Sequence, residues 1–125
     1  DLAVWRHTIR PGSAGEARLL RCLEQWGLPE PERQVRIIDE DGTVIARIDG
    51  GWPTVRVGFE YDSIEWHGPA RWEHDEARHA RLARLGWRIF HIEAHDLRPG
   101  EHLARDALLQ AISIASAVGT RATSP

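Results

Sequence analysis

The first regular pattern of hydrophobic positions along the chain has the period of an α-helix. Its apolar residues lie three or four positions apart and so share one helical face: Leu19, Leu20, Leu23 and Trp26. Ser13 and Glu16 form a capping-box pattern before this run, and Gly27 ends it. The sequence therefore predicts a first helix over residues 14–26.

Three runs rich in β-branched and apolar residues follow this helix. They cover residues 34–38, 43–52 and 55–62. Asp41-Gly42, between the first two runs, is a strong hairpin-turn signal, and Pro53-Thr54 separates the second run from the third. We expect the three runs to form an antiparallel meander of neighbouring strands.

The second half of the chain alternates between helical and strand patterns. Residues 70–85 form a charged helical stretch ended by Gly86, residues 87–92 form a short apolar strand, and residues 99–118 form a last helix. The predicted order is α-β-β-β-α-β-α, an α/β (α+β) fold in which helices flank a mixed sheet. Because a helix links the third and fourth strands, we expect these two strands to run parallel.

Chain length predicts one domain with two flanking segments. The 125 residues fall within the usual size of a single domain, which we assign to residues 13–118. Residues 1–12 are expected to form a linker or N-terminal arm, and residues 119–125 a disordered tail. The chain has no Met and opens with Asp1, so we expect a further domain to precede it in a longer protein.

The composition and net charge limit the cellular locations and the kinds of binding partner that the sequence predicts. No apolar run approaches the ~20 residues that cross a bilayer, so we expect no membrane segment and a cytoplasmic location. The net charge of -3 argues against a generally basic nucleic-acid-binding domain, but it is compatible with a nuclease whose acids surround metal ions. The single cysteine, Cys22, has apolar neighbours and is interpreted as a core residue.

The second predicted hairpin carries three acidic residues. If the chain turns between Thr54 and Val55, Asp49 lies opposite Glu60, and directly opposed residues share a face. Asp62 shares that face because it lies two residues beyond Glu60 on the same strand. Such like charges repel, unless they hold a divalent cation such as Mg²⁺, which takes oxygen ligands. A solvated hairpin face is the alternative, and spacing alone leaves both open.

Three strings on and after this hairpin carry a resemblance to a known family: Arg47-Ile-Asp49-Gly-Gly-Trp-Pro53, Val57-Gly-Phe-Glu60-Tyr-Asp62 and Trp66-His67-Gly68. An arginine-rich helix and a Gly-Trp-Arg-hydrophobic strand follow them, with Arg71, Asp75, Arg78 and Leu82 through Gly86-Trp87-Arg88-Ile89. Their order and spacing resemble the Vsr-related branch of the PD-(D/E)XK nuclease superfamily, a group of largely uncharacterised bacterial endonuclease-like domains. The resemblance spans roughly residues 13–97.

This resemblance implies a restriction-endonuclease-like core and a metal-dependent DNA endonuclease that hydrolyses phosphodiester bonds. Asp49 and Glu60 match the superfamily's two metal-binding acids, the Tyr61 carbonyl is an expected further ligand, and Mg²⁺ or Mn²⁺ is the expected cofactor. Glu16 matches the acid often contributed by the first helix, with N-terminal capping as its alternative. The third motif position, usually Lys, is Asp62 here, and the chain contains no Lys.

Candidates for proton transfer and DNA contact also follow from the resemblance. His67 would act as general base or as proton donor to the leaving group, unless it is a polar loop residue beside Trp66. Arg71, Arg78 and Arg81 are the expected phosphate contacts, although a solvated helix with interleaved acids would have the same pattern. The remaining histidines lack a cysteine-supported zinc spacing, so the sequence does not predict a structural zinc ion.

Two other functions stay open at the level of sequence. Without the motif Lys, orientation of an attacking water falls to a metal ion, to Gln34, to His67 or to no group at all. The domain is then either a working enzyme or a non-cleaving nuclease-fold module that binds nucleic acid or a protein. A pure interaction domain, in which the acids only solvate a surface, is the third reading. Metal binding separates the third reading from the first two, and cleavage separates the first from the second.

Overall fold

The structure, a computed structural model, describes the backbone of residues 14–62 and 69–123 and the side chains of residues 14–61 and 76–117. Within these ranges the elements are α1 (Ala14–Gln25), β1 (Glu32–Ile38), β2 (Val44–Trp52), β3 (Val57–Asp62), α2 (Pro69–Arg84), β4 (Arg88–Glu93), a 3-10 helix (Ala94–Leu97) and α3 (Leu103–Thr123). The predicted order α-β-β-β-α-β-α is confirmed, and the short 3-10 helix is an addition that the sequence pattern did not predict.

The four strands form one mixed sheet in the order β1-β2-β3-β4. β1 pairs antiparallel with β2, and β2 pairs antiparallel with β3, which confirms the predicted meander. β4 pairs parallel with β3, as expected for two strands that a helix connects. The mixed α+β class predicted from the sequence is therefore correct.

Element boundaries differ from the prediction mainly at turns and in the last helix. β3 begins at Val57 rather than Val55, because residues 53–56 form a turn. α3 begins at Leu103, after the predicted start at Pro99, and continues past the predicted end at Val118. Residues 119–123 are thus helical rather than part of a disordered tail, while the predicted arm over residues 1–12 lies outside the described residues. No helix in the described part of the chain is long and apolar enough to cross a membrane.

Two hydrophobic clusters pack against the sheet. The larger one joins α1, the 3-10 helix and α3 to β3 and β4, with these largest fully buried members: Leu19, Leu23, Leu28, Phe59, Ile92 and Leu108. The smaller one joins α2 to β1 and β2 through Val35, Ile37, Ala46, Ile48 and Leu82. α2 therefore covers one part of the sheet, and α1 and α3 together cover another.

Side chains along β1 and β2 alternate between the two faces of the sheet. At one point along both strands this alternation is interrupted, so that the residues beyond it face the opposite side. Val35 and Ile48 are cross-strand partners in the α2 cluster. Two residues farther along the ladder, strict alternation would keep Arg33 and its partner Gly50 on the α2 side. Instead, Arg33 reaches Glu16 of α1. The reversal falls between these two pairs.

Gln34 is the residue at which β1 changes phase. Its φ of 52° lies in the left-handed region, which residues other than glycine rarely adopt. On β2, a Cβ added to Gly50 would meet the ring of Phe59, a member of the larger cluster, so Gly50 also faces that side. Asp49 lies between Ile48 and Gly50, at the level of the reversal.

Candidate metal and nucleic-acid site

The β2–β3 hairpin has the register that the sequence predicted. Gly50 pairs with Phe59, Gly51 with Gly58, and Trp52 with Val57. Continuing this register by one step places Asp49 opposite Glu60. The regular pairing between the two strands stops at Gly50, so Asp49 is the first β2 residue beyond it.

Asp49 bonds to β3 through its side chain. Its Oδ2 atom accepts a hydrogen bond from the backbone N–H of Tyr61, with an N-to-O distance of 2.7 Å. The distance is short for an N–H···O bond, as expected when the acceptor is charged. The carboxylate of Asp49 is therefore held between β2 and β3 and lies against the β3 backbone.

Glu60 directs its carboxylate towards α2. Both of its oxygens accept hydrogen bonds from Arg78, with Nη1 to Oε1 at 3.0 Å and Nη2 to Oε2 at 3.2 Å. Both side chains are mostly buried, with 20% and 18% of the Arg78 and Glu60 side chains exposed. Arg78 Nη2 also lies 3.4 Å from the carbonyl oxygen of Arg47, so one guanidinium links α2 to both β3 and β2.

Among the described side chains, Glu60 belongs to a group with two histidines, and Asp49 is not a member of that group. The nearest ligand atoms of Glu60, His79 and His91 all lie within 4.8 Å of one another. Asp49 bonds to the backbone of Tyr61, and Glu60 bonds to Arg78 of α2, so each carboxylate has a partner of its own. The predicted convergence of Asp49, Glu60 and Asp62 stays a prediction. The side chain of Asp62 lies outside the described residues.

Sequence reasoning missed the histidines of this group. His79 lies on α2 and His91 on β4, and their Nε2 atoms are 2.9 Å apart. The available signal was the parallel pairing of β3 with β4, which sets Glu60 beside His91. His79 then comes from the helix that crosses over that pair.

Glu16 occupies the first turn of α1 and pairs with the sheet. Its Oε2 atom lies 3.4 Å from Nη2 of Arg33. The neighbouring Gly15 lies directly under the ring of Tyr61, which a Cβ at that position would strike. The first turn of α1 therefore lies close to the Asp49–Tyr61 arrangement. Ser13, the expected capping partner of Glu16, is outside the described residues.

The arginines expected to contact phosphate are already paired with acids where they are described. Arg78 holds Glu60, and Arg81 lies 3.1 Å from Asp39, with about half of its side chain exposed. Both line an open depression beside β2. The side chain of Arg71 and the whole of His67 lie outside the described residues, so their expected roles stay predictions.

Comparison with known protein families finds no match, and no solved structure matches the chain. Two curated proteins of Mycobacterium tuberculosis are similar to it. They are "Uncharacterized protein MT2308" from strain CDC 1551 / Oshkosh and "Uncharacterized protein Rv2248" from strain ATCC 25618 / H37Rv, each 43% identical over 101 residues. The match covers 78% of this chain and 37% of each relative, so the chain spans little more than a third of their length.

Proposed function

We propose that this domain is a cytoplasmic, metal-dependent endonuclease with a restriction-endonuclease-like core, which hydrolyses phosphodiester bonds in DNA. The observation that carries the proposal is the 2.7 Å hydrogen bond between the Asp49 carboxylate and the Tyr61 amide. It supports the proposal because it fixes an acid of β2 at the edge of β3, next to the backbone that would supply a further oxygen ligand.

The direction of the Tyr61 carbonyl follows from strand geometry. In an extended strand the N–H and the C=O of one residue point to the same side, as they do in a hydrogen-bonded antiparallel pair. Since the Tyr61 N–H points to Asp49, the Tyr61 carbonyl lies on the same strand edge. Carboxylate and carbonyl oxygens are the hard ligands that Mg²⁺ and Mn²⁺ take.

Glu60 would complete the oxygen set. Arg78 now holds both of its carboxylate oxygens, so the acid would have to share one oxygen with the ion or exchange partners. A carboxylate has about four lone-pair sites, which allows one group to serve both an ion and a guanidinium. When bound, Mg²⁺ or Mn²⁺ would supply positive charge at the scissile phosphate and acidify the attacking water. Asp49 and Glu60 would hold that ion, and His67 would move the proton.

The test is the nicking of supercoiled plasmid by purified protein over several hours, in Mn²⁺ and in chelator. We expect weak nicking by the parent, loss in Asp49→Asn, reduction in His67→Ala and no change in Glu101→Gln, an exposed acid used as control. The absence of Lys removes one preorganised charge, which typically costs about 10²- to 10³-fold in rate. Equal nicking by the parent and Asp49→Asn would reveal a contaminant and overturn the proposal.

A non-cleaving module that binds nucleic acid or a protein is the second candidate. The two-pronged pairing of Arg78 with Glu60 favours it, because it occupies an acid that catalysis would need. The absence of Lys from the chain points the same way. A parent protein that is stabilised by Mn²⁺ through Asp49 but does not nick DNA would favour this candidate over the enzyme.

A further inference from the structure

We propose that Glu60, His79 and His91 form a second kind of metal site, which binds a divalent ion of the zinc class. The site shares Glu60 with the proposed function, but it requires neither Asp49 nor cleavage of DNA. It also differs in chemistry, since two imidazoles and one carboxylate suit Zn²⁺, whereas Mg²⁺ prefers oxygen ligands throughout.

Three elements bring the ligands together. Glu60 and His91 are paired residues of the parallel strands β3 and β4, so their side chains leave the same face of the sheet at the same level. α2 packs across this face and supplies His79. As a result, one ligand atom from each residue lies within 4.8 Å of the other two. Glu60 and His79 are partly buried and His91 is exposed, which gives an ion a route from solvent.

The distance between the two imidazoles is close to what a shared ion needs. Their Nε2 atoms lie 2.9 Å apart, so in the metal-free protein one nitrogen donates a hydrogen bond to the other. Zinc-to-nitrogen bonds of about 2.0–2.1 Å at a tetrahedral angle would set the two nitrogens about 3.3 Å apart. Binding one ion through both nitrogens would therefore require the exposed His91 ring to move outward and to turn its nitrogen from His79 towards the ion.

Arg78 gives the site a means of fixing its carboxylate. Both terminal nitrogens of the Arg78 guanidinium donate hydrogen bonds to the Glu60 carboxylate. The ion would bind one carboxylate oxygen, and Arg78 would keep its hydrogen bond to the other. Metal ligands in proteins are commonly held in this way by a hydrogen-bond partner on their far side. Two histidines and a glutamate leave a fourth position for water or for a ligand oxygen, as in zinc sites that perform hydrolysis.

The test measures Zn²⁺ binding by tag-free protein with titration calorimetry, and Co²⁺ binding by visible absorption. We expect 1:1 binding by the parent and matching loss in His79→Gln and His91→Gln. Losing only an outer partner of a metal ligand typically costs about 10- to 100-fold in affinity, so losing a ligand should cost at least that. His102→Gln removes an exposed histidine outside the group and should bind like the parent. Circular dichroism and metal-free melting would verify that each variant folds.

Asp49→Asn separates this site from the proposed function. The Asp49→Asn variant should lose the stabilisation by Mn²⁺ and the nicking activity, but it should keep the Zn²⁺ affinity of the parent. Failure of nicking alone would leave the zinc-class site standing. If the parent binds no Zn²⁺, or if folded His79→Gln and His91→Gln both bind it as tightly as the parent, the inference is overturned.

Discussion

The carboxylate of Asp49 accepts a hydrogen bond from the backbone N–H of Tyr61 at the level where the pairing of β2 with β3 ends. The side chain thus takes over the role of a backbone carbonyl in the ladder. Whatever its chemistry, Asp49 is also a structural residue of the hairpin.

Asp49→Ala should destabilise the domain more than Asp49→Asn. Alanine leaves the Tyr61 amide without its acceptor, and an unsatisfied donor that is shielded from water costs about 1–3 kcal/mol. Asparagine keeps an oxygen at the same place. Urea unfolding of the three proteins without metal would measure the difference, and equal stability of Asp49→Ala and the parent would contradict it.

The pairing of Glu60 with Arg78 should be energetically coupled. The contact is two-pronged and both side chains are about four-fifths buried, so a double-mutant cycle with Glu60→Gln and Arg78→Gln should give about 1–2 kcal/mol. The matched control is Arg105 with Asp106, whose side chains are 35% and 63% exposed. That exposed pair should give less than about 0.5 kcal/mol. Similar coupling in both cycles would argue against a special role for Arg78.

Gly51→Ala should be costly for a steric reason. An added Cβ would lie 2.6 Å from the Val57 carbonyl oxygen and 2.8 Å from Cα of Gly58, so the β3 backbone itself would have to move. Overpacking of this kind typically costs about 1–3 kcal/mol. Gly42→Asn is the control, because the space around Gly42 is open and asparagine tolerates its positive φ. Thermal melting compares the two, and equal melting temperatures would refute the argument.

Cys22 should react slowly with alkylating reagents in the folded protein. Burial raises the pKa of its thiol, and this outweighs the lowering by Arg18 and Arg21. Alkylation requires the thiolate, so a raised pKa reduces the reactive fraction at pH 8. Mass spectrometry with iodoacetamide should show faster labelling in urea than in buffer. Equal rates would mean that the thiol is not protected by the fold.

Local signals explain how far the sequence could predict the fold. The Pro53-Thr54 turn and the alternation on either side were enough to fix the register that pairs Gly50 with Phe59, since hairpin register depends on neighbouring residues. The parallel pairing of β4 followed from the helix that precedes it. The reversal at Gln34 could not be anticipated, because glutamine carries no preference for the left-handed backbone it adopts there.

The candidate site was less predictable because distant residues decide where side chains point. Register placed Asp49 opposite Glu60, which suggested that their carboxylates converge. In the structure Arg78, eighteen positions further along the chain, draws the Glu60 carboxylate towards α2. Such a contact depends on how a helix packs on the sheet, and neither strand alternation nor turn chemistry contains that information.

The sheet order also implies a sequence of events in time. Short turns connect β1, β2 and β3, so the strand pairs that carry Asp49 and Glu60 close through local contacts. β4 pairs with β3 across the whole crossover through α2, and we expect this pairing to form later in folding because closing the longer loop costs more chain entropy. We therefore expect His91 to reach Glu60 only when the sheet is complete. An ion held by both residues would bind the finished fold and no partly folded precursor, and would shift the folding equilibrium towards the native state.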